Sequence, residues 1–288
     1  MSIVTERDAQ ERLRELVQGC KTRLGVDRIP LYQGTNHPLA QLLNIEIREE
    51  RGVPHGGWYV PGELPYIAID PYTSYPERLN FTFYHEITHH LLRTDGELYG
   101  FLDDHSSMEF DRVREDYCNL GAAEFLIPHA DVRAAFQDRG FSMALLQDFD
   151  TSYPASKPAI AIQMAQCAPH QCIIVVCEPG WSTGKDQSQP LIDVEVIPQQ
   201  TLLVSYSSRS PSYAYPCARG TPIPKHHLIS NAYAERTSLR GKADIPFRSG
   251  KQWPVDCEAF FYKEKVYAAF NITSPPSKHQ QAFAFFAE

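Results

Sequence analysis

Large apolar residues at a spacing of four predict a helix in the first third of the chain. The series consists of Leu79, Phe83, Ile87 and Leu91. This recurrence is typical of a helix that buries one face. Thr94-Asp95-Gly96 then supplies the residue types of a helix end and a turn. The acidic stretch 94–109 has no clear periodicity, which indicates either a mobile loop beside a functional site or a plain solvated connection.

A second helical pattern covers residues 114–127 and ends before Pro128. Its apolar positions are Leu120, Ala123, Phe125 and Leu126. One face carries a carboxylate followed by small or short side chains, namely Glu115, Cys118, Asn119 and Ala122. Glu124 is about half a turn around the axis from Glu115, so it points elsewhere. A face of short side chains suits close approach to the first helix.

Shorter elements are predicted before the first of these helices. Residues 5–24 predict one charged helix, and residues 26–54 predict short strands and turns. The segments 56–60 and 65–69 have the pattern of a hairpin directly before the helix. A strand at that place could bind an extended peptide by adding the peptide's backbone to the sheet edge.

The pattern changes from helices to strands near residue 170. Three short helices are predicted at 130–138, 142–149 and 156–168, an arrangement that allows a helix-turn-helix. Strands are then predicted at 172–177, 191–197, 201–206, 257–262 and 265–270, with a helix within 226–240. We therefore predict an α+β fold in three parts, 1–128, 129–169 and 170–288, of which the last is a small α/β module.

One motif with chemical meaning lies on the first predicted helix, where His85-Glu86-Ile87-Thr88-His89 has the form H-E-x-x-H. Residues four apart share a helix face, so both imidazoles can point at one metal ion. Glu86 lies beside the pair, where it can act on a water at the same ion. This arrangement is what metal-assisted peptide hydrolysis requires. The alternative is a buried helix whose histidines are hydrogen-bonded in a core.

A catalytic zinc site needs a third protein ligand and an open fourth position for water. The downstream candidates are Asp95, Glu97, Asp103, Asp104, His105, Glu109, Asp111, Glu115, Asp116 and Glu124. Spacing alone does not choose among them. The short-side-chain face of the second helix favours Glu115, and Asn119 on the same face is a candidate to orient that carboxylate by a hydrogen bond.

The charge balance argues against strong DNA binding. The chain has a formal net charge of −8, and the helical segment 129–168 carries four Asp against two Arg and one Lys, a net charge of −1. Phosphate neutralisation dominates DNA affinity, so a DNA-binding segment is expected to be basic. A structural or partner-docking role is the more natural expectation for these helices.

Several features predict a cytoplasmic protein with no membrane partner. No apolar run approaches the ~20 residues of a membrane span, and the charged N-terminus lacks the apolar centre of a signal peptide. The seven cysteines are scattered and form no C-x-x-C pair, which predicts free buried thiols. The oligomeric state is left open by the sequence.

The two helical segments together resemble the ImmA/IrrE metallopeptidases. The block R-x-x-F-T-x-x-H-E-x-x-H-x-L-L spans 78–92, and the block E-x-x-C-N-x-x-A-A-E-F-L-I-P spans 115–128. The resemblance is most specific over 60–128, and a fainter similarity to the long IrrE-type members extends further. One departure is Gly121, where the family pattern more often has an aromatic residue.

The resemblance implies a zincin-like metallopeptidase domain, a helix-turn-helix-like segment and a C-terminal GAF-like domain. It implies His85, His89 and Glu115 as zinc ligands and Glu86 as the catalytic base, with Mn²⁺ in place of Zn²⁺ left open. The implied substrate is a helix-turn-helix transcriptional repressor, whose cleavage would switch on a response to DNA damage or radiation stress. One alternative is a metal-containing transcriptional regulator that binds DNA or a small ligand without proteolysis. Another is a non-proteolytic hydrolase.

Overall fold

The computed structural model describes residues 3–72, 75–105, 110–182 and 199–272. These residues belong to two compact units. The first unit comprises 1–132 and 148–163, and the second comprises 133–147 and 164–288. The helical segment predicted at 129–169 therefore contributes residues to both units.

The described residues up to 167 are mainly helical, with one small sheet. The helices are α1 (Glu6–Leu24), α2 (Pro38–Leu42), α3 (Pro76–Thr94), α4 (Gly96–His105), α5 (Phe110–Leu126), α6 (His129–Arg139), α7 (Leu145–Ser152) and α8 (Lys157–Cys167). The strands of this part are β1 (Glu46–Glu49), β2 (Gly57–Val60) and β3 (Tyr66–Ile69). The predicted helices at 5–24 and 114–127 and the three short helices are confirmed, with small shifts at their ends.

The small sheet places its edge strand β2 beside α3. Its order is β1-β3-β2, in which β1 is parallel and β2 antiparallel to β3. The predicted pairing of the two segments before the helix is thus confirmed. Ile67 and Ile69 of β3 are fully buried. Because side chains alternate along a strand, the residues of β2 that lie opposite them, Tyr59 and Gly57, share their face.

Helix α4 occupies part of the acidic stretch 94–109, where the pattern predicted a loop. Asp95 begins this helix, because its Oδ1 accepts a hydrogen bond from the Leu98 N–H at 2.9 Å. Leu98 and Leu102 are buried against α1. The loop prediction is therefore wrong for 96–105, since apolar residues four apart and an acidic cap outweigh the polar composition. Residues 106–109 lie outside the described part of the chain.

Helices α3 and α5 approach each other closely at Gly121. A Cβ at this position would lie 2.4 Å from Cγ2 and 2.5 Å from Oγ1 of Thr88. Thr88 is fully buried, and its hydroxyl donates a hydrogen bond to the Tyr84 carbonyl at 2.7 Å. A β-branched side chain fixed in this way has little freedom to move aside. This crossing therefore has no space for a larger side chain. The close approach explains why glycine, and not the aromatic residue of the family pattern, occupies position 121.

Gly121→Ala is expected to lower the free energy of unfolding by about 1–3 kcal/mol, because overpacking outweighs a gain of about 1 kcal/mol in helix propensity. Denaturant unfolding of the full chain measures the change. Gly100→Ala is the matched control, since a Cβ at this position of α4 meets nothing within 4 Å. The control is expected to be unchanged or stabilised by up to about 1 kcal/mol. Equal stability of the two variants would contradict the close approach.

The second unit is built on a five-stranded antiparallel sheet in the order β5-β4-β8-β7-β6. Its strands are β4 (Gln171–Ser182), β5 (Gln199–Arg209), β6 (Leu239–Asp244), β7 (Pro254–Tyr262) and β8 (Lys265–Ile272), and α9 spans Leu228–Glu235. One sheet face forms a core with α9, in which Val175, Ala268 and Ile229 are fully buried. The mixed α+β character is as predicted.

The predicted helix within 226–240 is correct only in its first part. Helix α9 ends at Glu235, and Arg236, which caps it, adopts a left-handed conformation with φ 52°. The chain then enters the edge strand β6 at Leu239. The predicted strand at 191–197 lies outside the described residues.

All seven cysteines are free and buried, which confirms the prediction of reduced thiols. Among the described helices, none is long and apolar enough to cross a membrane.

Candidate metal centre

Helix α3 brings the two histidines of the motif together. His85 and His89 are one turn apart, and their ring centroids are separated by 4.9 Å. Each side chain is largely buried, at 15% and 14% exposure. The motif therefore forms a pair of neighbouring imidazoles near the surface, as the spacing predicts.

Glu115 of α5 reaches both imidazoles. Its Oε2 lies 3.1 Å from Nε2 of His85, and its Oε1 lies 3.4 Å from Nε2 of His89. Hydrogen bonding to His85, with the nearby His89, lowers the pKa of the Glu115 carboxyl below its ordinary value. Because the carboxylate is 46% exposed, these three groups meet at a place that solvent can enter.

Asn119 determines which way the His85 ring presents its nitrogens. Its amide oxygen lies 3.1 Å from Nδ1 of His85. The sequence predicted that Asn119 orients Glu115, whereas the structure places it against His85, one turn further along α5. When Nδ1 donates this hydrogen bond, Nε2 carries a lone pair that faces the Glu115 carboxylate. Two facing acceptors require a cation or a proton between them.

The donor set of this cluster fits a zinc ion. Zinc–ligand bonds of about 2.0–2.2 Å in a tetrahedron imply donor–donor distances of about 3.3–3.6 Å. The separations of 3.1 and 3.4 Å between Glu115 and the two Nε2 atoms lie close to this range. Burial lowers the pKa of His89 to about 4, so its ring is neutral at pH 7 and available as a ligand. Two imidazoles and one carboxylate form a ligand set typical of catalytic zinc sites.

Cys118 is a second candidate for the third donor. A potential metal-binding group consists of His85, His89 and Cys118, whose ligand atoms all lie within 4.8 Å of one another. Burial raises the pKa of the Cys118 thiol well above its ordinary value, and the carboxylates of Glu115 and Glu86 raise it further. Because a metal binds the thiolate, these surroundings disfavour Cys118 relative to Glu115 in the absence of an ion.

Glu86 is buried and is held by strand β2. Its Oε2 accepts a hydrogen bond from the Tyr59 N–H at 2.8 Å, and the residue is 7% exposed. Burial raises the pKa of Glu86 to about 7, although the neighbouring His85 and the Tyr59 amide act in the opposite direction. A cation at the imidazoles would also oppose the effect of burial, because positive charge stabilises the carboxylate.

His90 lies one residue beyond the pair and faces β2. Its Nδ1 is 3.0 Å from the Tyr59 hydroxyl. His90 is buried, with 8% exposure. Burial lowers its pKa.

Two other candidates for the third ligand have different partners. Asp95 caps α4 and pairs with Arg12 at 2.8 Å. Glu124 accepts hydrogen bonds from the Gln163 side chain at 2.9 Å and from the His129 N–H, as expected for a residue on another face of α5. Glu109 lies outside the described residues.

Two residues of this centre are not among the predicted site residues. Cys118 was placed on the Glu115 face but was interpreted only as a buried thiol, although its i+3 spacing from Glu115 was available as a signal. Tyr59 acts through its backbone amide, which no side-chain pattern reveals. The pair Gly56-Gly57 before it is the one cue, since glycine in a strand often marks close backbone approach.

Comparison with known proteins places the matched region over this centre. Residues 40–157 match the IrrE N-terminal-like domain. The chain is 28% identical over 198 residues to the radiation response metalloprotease IrrE of Deinococcus radiodurans. The aligned region covers 68% of this chain and 60% of that protein. It is 31% identical over 208 residues to the radiation response metalloprotease IrrE of Deinococcus deserti, and the aligned region covers 70% of this chain and 70% of that protein.

One solved structure shares the fold at low sequence identity. It is a Mycobacterium tuberculosis transcriptional regulator, with a TM-score of 0.52 and 13% identity, covering 92% of this chain and 76% of that chain. At this identity the likeness concerns the fold alone.

Proposed function

Since the chain belongs to the IrrE family of metalloproteases, we propose that it is a zinc-dependent endopeptidase that cleaves a helix-turn-helix transcriptional repressor. The observation that carries this proposal is the Glu115 carboxylate at 3.1 and 3.4 Å from the two Nε2 atoms of the H-E-x-x-H motif. Cleavage of the repressor would switch on a response to DNA damage or radiation. The relatives named above are radiation response metalloproteases, which supports this biological role.

Three residues of this chain would hold the metal, and a fourth orients one of them. His85, His89 and Glu115 would hold a zinc ion, and Mn²⁺ is the alternative. When bound, the ion supplies a Lewis acid for the scissile carbonyl and lowers the pKa of an associated water. Asn119 keeps the His85 ring oriented through Nδ1, which holds Nε2 toward the other donors.

Glu86 moves the proton in the proposed reaction. Its carboxylate takes a proton from the attacking water as the water oxygen bonds to the carbonyl carbon. The same carboxyl then gives the proton to the amine nitrogen as the C–N bond breaks. The hydroxyl of the water thus ends on the carboxylic acid product and its proton on the amine product. Burial of the Glu86 side chain keeps competing bulk water away from this transfer.

A protein substrate suits the surroundings of the site. Strand β2 lies at the edge of its sheet, where an extended segment of a repressor can add its backbone. The second unit would offer a further docking surface, and we assign it a GAF-like sensor role. The helices between 129 and 169, with their net charge of −1, are proposed as a helix-turn-helix-like segment that does not bind DNA strongly.

Metal removal tests the proposal directly. Incubation of the purified full chain with zinc and the cognate repressor is expected to give two discrete repressor fragments, visible by gel and by mass spectrometry. Because the three donors would be left without their ion, excess chelator is expected to abolish cleavage and added zinc to restore it. Unchanged cleavage in chelator, with metal loss verified by elemental analysis, would contradict a metallopeptidase.

One observation favours a second function, a metal-containing regulator that binds DNA or a small ligand without proteolysis. If Cys118 joined His85, His89 and Glu115, the site would have four protein donors and no open position, as in structural zinc sites. Such a protein would retain zinc and leave the repressor intact.

A further inference from the structure

Strand β2 touches the proposed general base through the backbone of Tyr59. In an antiparallel pair, alternate residues direct their backbone groups toward the partner strand. The Tyr59 N–H points away from β3 and donates to Oε2 of Glu86 at 2.8 Å. The edge of the sheet is therefore hydrogen-bonded to the side chain of α3 that would move the proton.

The side chain of Tyr59 makes a second contact with the same helix. Its hydroxyl lies 3.0 Å from Nδ1 of His90, and the two rings meet edge to face with centroids 5.6 Å apart. His90 is four residues beyond Glu86, so both lie on one face of α3. One residue of β2 thus bonds to two successive turns of the helix.

Gly57 shows how tightly the strand lies on the helix. A Cβ at this position would be 2.5 Å from Cγ2 of Thr82 and 3.1 Å from Cγ of Glu86. This contact leaves the Glu86 side chain little freedom on the β2 side. A small shift of β2 would therefore change both the hydrogen bond to Glu86 and its packing.

We propose that Tyr59 is a positioning residue for Glu86. Its hydroxyl, bonded to His90, anchors β2 on α3, and the anchored strand holds the Glu86 carboxylate through the Tyr59 amide. This inference rests on the proposed peptidase function and adds the element that orients its base. Tyr59 touches neither the metal donors nor the scissile bond in this role, and it acts only through Glu86.

Tyr59→Phe removes the hydroxyl and keeps the ring. Cleavage of the cognate repressor under zinc-saturated, single-turnover conditions is expected to be roughly tenfold slower, because a shifted base loses alignment. The zinc affinity is expected to be unchanged. Exchange of the residue 59 amide hydrogen, followed by NMR, is expected to be faster than in the parent chain.

Variants at His90 separate positioning from general loss of structure. His90→Leu is expected to reproduce the Tyr59→Phe effect, and the double variant Tyr59→Phe/His90→Leu to be no slower than either alone. His90→Asn keeps a polar atom near the Nδ1 position and is expected to recover most of the parent rate. Tyr75→Phe is the control, since Tyr75 is 80% exposed and its loss of a hydroxyl is expected to change nothing.

The outcomes distinguish this inference from the function on which it rests. If the zinc-loaded parent chain leaves the repressor intact, both fail. If the parent cleaves and Tyr59→Phe cleaves equally fast with an equally protected amide, only the positioning role is overturned. A loss of zinc affinity in Tyr59→Phe, or a failure of His90→Asn to recover activity, would also overturn it in favour of a purely structural contact.

Discussion

Glu86→Gln is expected to slow repressor cleavage by roughly a hundred- to ten-thousand-fold, the range that a general base contributes. The amide is nearly isosteric and still presents an oxygen to the Tyr59 N–H, which donates to Glu86 in the parent chain. It cannot accept a proton from water, so the loss is chemical and not structural. Single-turnover cleavage at saturating zinc measures the effect.

Glu77→Gln provides the matched control for this variant. Glu77 is in the first turn of the same helix and is exposed, so the same change of charge there is expected to leave the rate unaltered. Zinc affinity is expected to be retained by both variants. Cleavage by Glu86→Gln as fast as by the parent chain would refute the assignment of Glu86 as the base.

Glu115→Gln is expected to have the largest effect on zinc binding among the residues of α5. Its carboxylate faces both imidazoles, whereas Asn119 touches only the Nδ1 side of His85. Asn119→Ala is therefore expected to weaken zinc binding by roughly 10- to 100-fold, as for loss of an outer hydrogen-bond partner. Glu115→Gln is expected to weaken it further, because it removes a charged donor.

Cys118→Ser completes the comparison and is expected to leave zinc affinity nearly unchanged. Its thiol is buried, with a pKa raised well above the ordinary value, and the proposed donor set does not include it. Competition against a chromophoric chelator ranks the three variants. A greater loss of affinity in Cys118→Ser than in Glu115→Gln would show that the thiol, and not the carboxylate, is the third donor.

The helical part of the site follows from local patterns in the sequence. The four-residue apolar spacing predicts α3, and the same geometry places His85 and His89 on one face. The short-side-chain face of α5 is enough to select Glu115, because a carboxylate among small neighbours can approach another helix. The structure brings these three residues together.

Contacts that form only when separate elements pack together could not be predicted from local sequence patterns. The bond between the Tyr59 amide and Glu86 requires β2 to lie directly on α3, and no residue type at position 59 encodes a backbone donor. The partner of Asn119 depends on the offset between α3 and α5, which is set by the close approach at Gly121. Glu115 lies one turn from Asn119 on α5 itself, whereas His85 reaches the Asn119 amide only because α3 packs against α5.

Two elements with mostly exposed surfaces, β6 and α4, were not predicted from the sequence pattern. Strand β6 (Leu239–Asp244) is mostly exposed and lies at the margin of its sheet, so it lacks the alternation that marks a half-buried strand. Its first two residues, Leu239 and Arg240, were consequently assigned to the preceding helix, and the strand itself was not predicted. Helix α4 was missed for a related reason, because an acidic exposed face hides two buried leucines.

X-ray absorption at the zinc edge of the zinc-loaded protein identifies the atoms that bind the ion. We expect one bound ion with two imidazole nitrogens and carboxylate or water oxygens, all at about 2.0–2.2 Å. The spectrum is expected to be unchanged in Cys118→Ser. A sulfur ligand at about 2.3 Å, lost in Cys118→Ser, would contradict the assignment of His85, His89 and Glu115 as an open catalytic site.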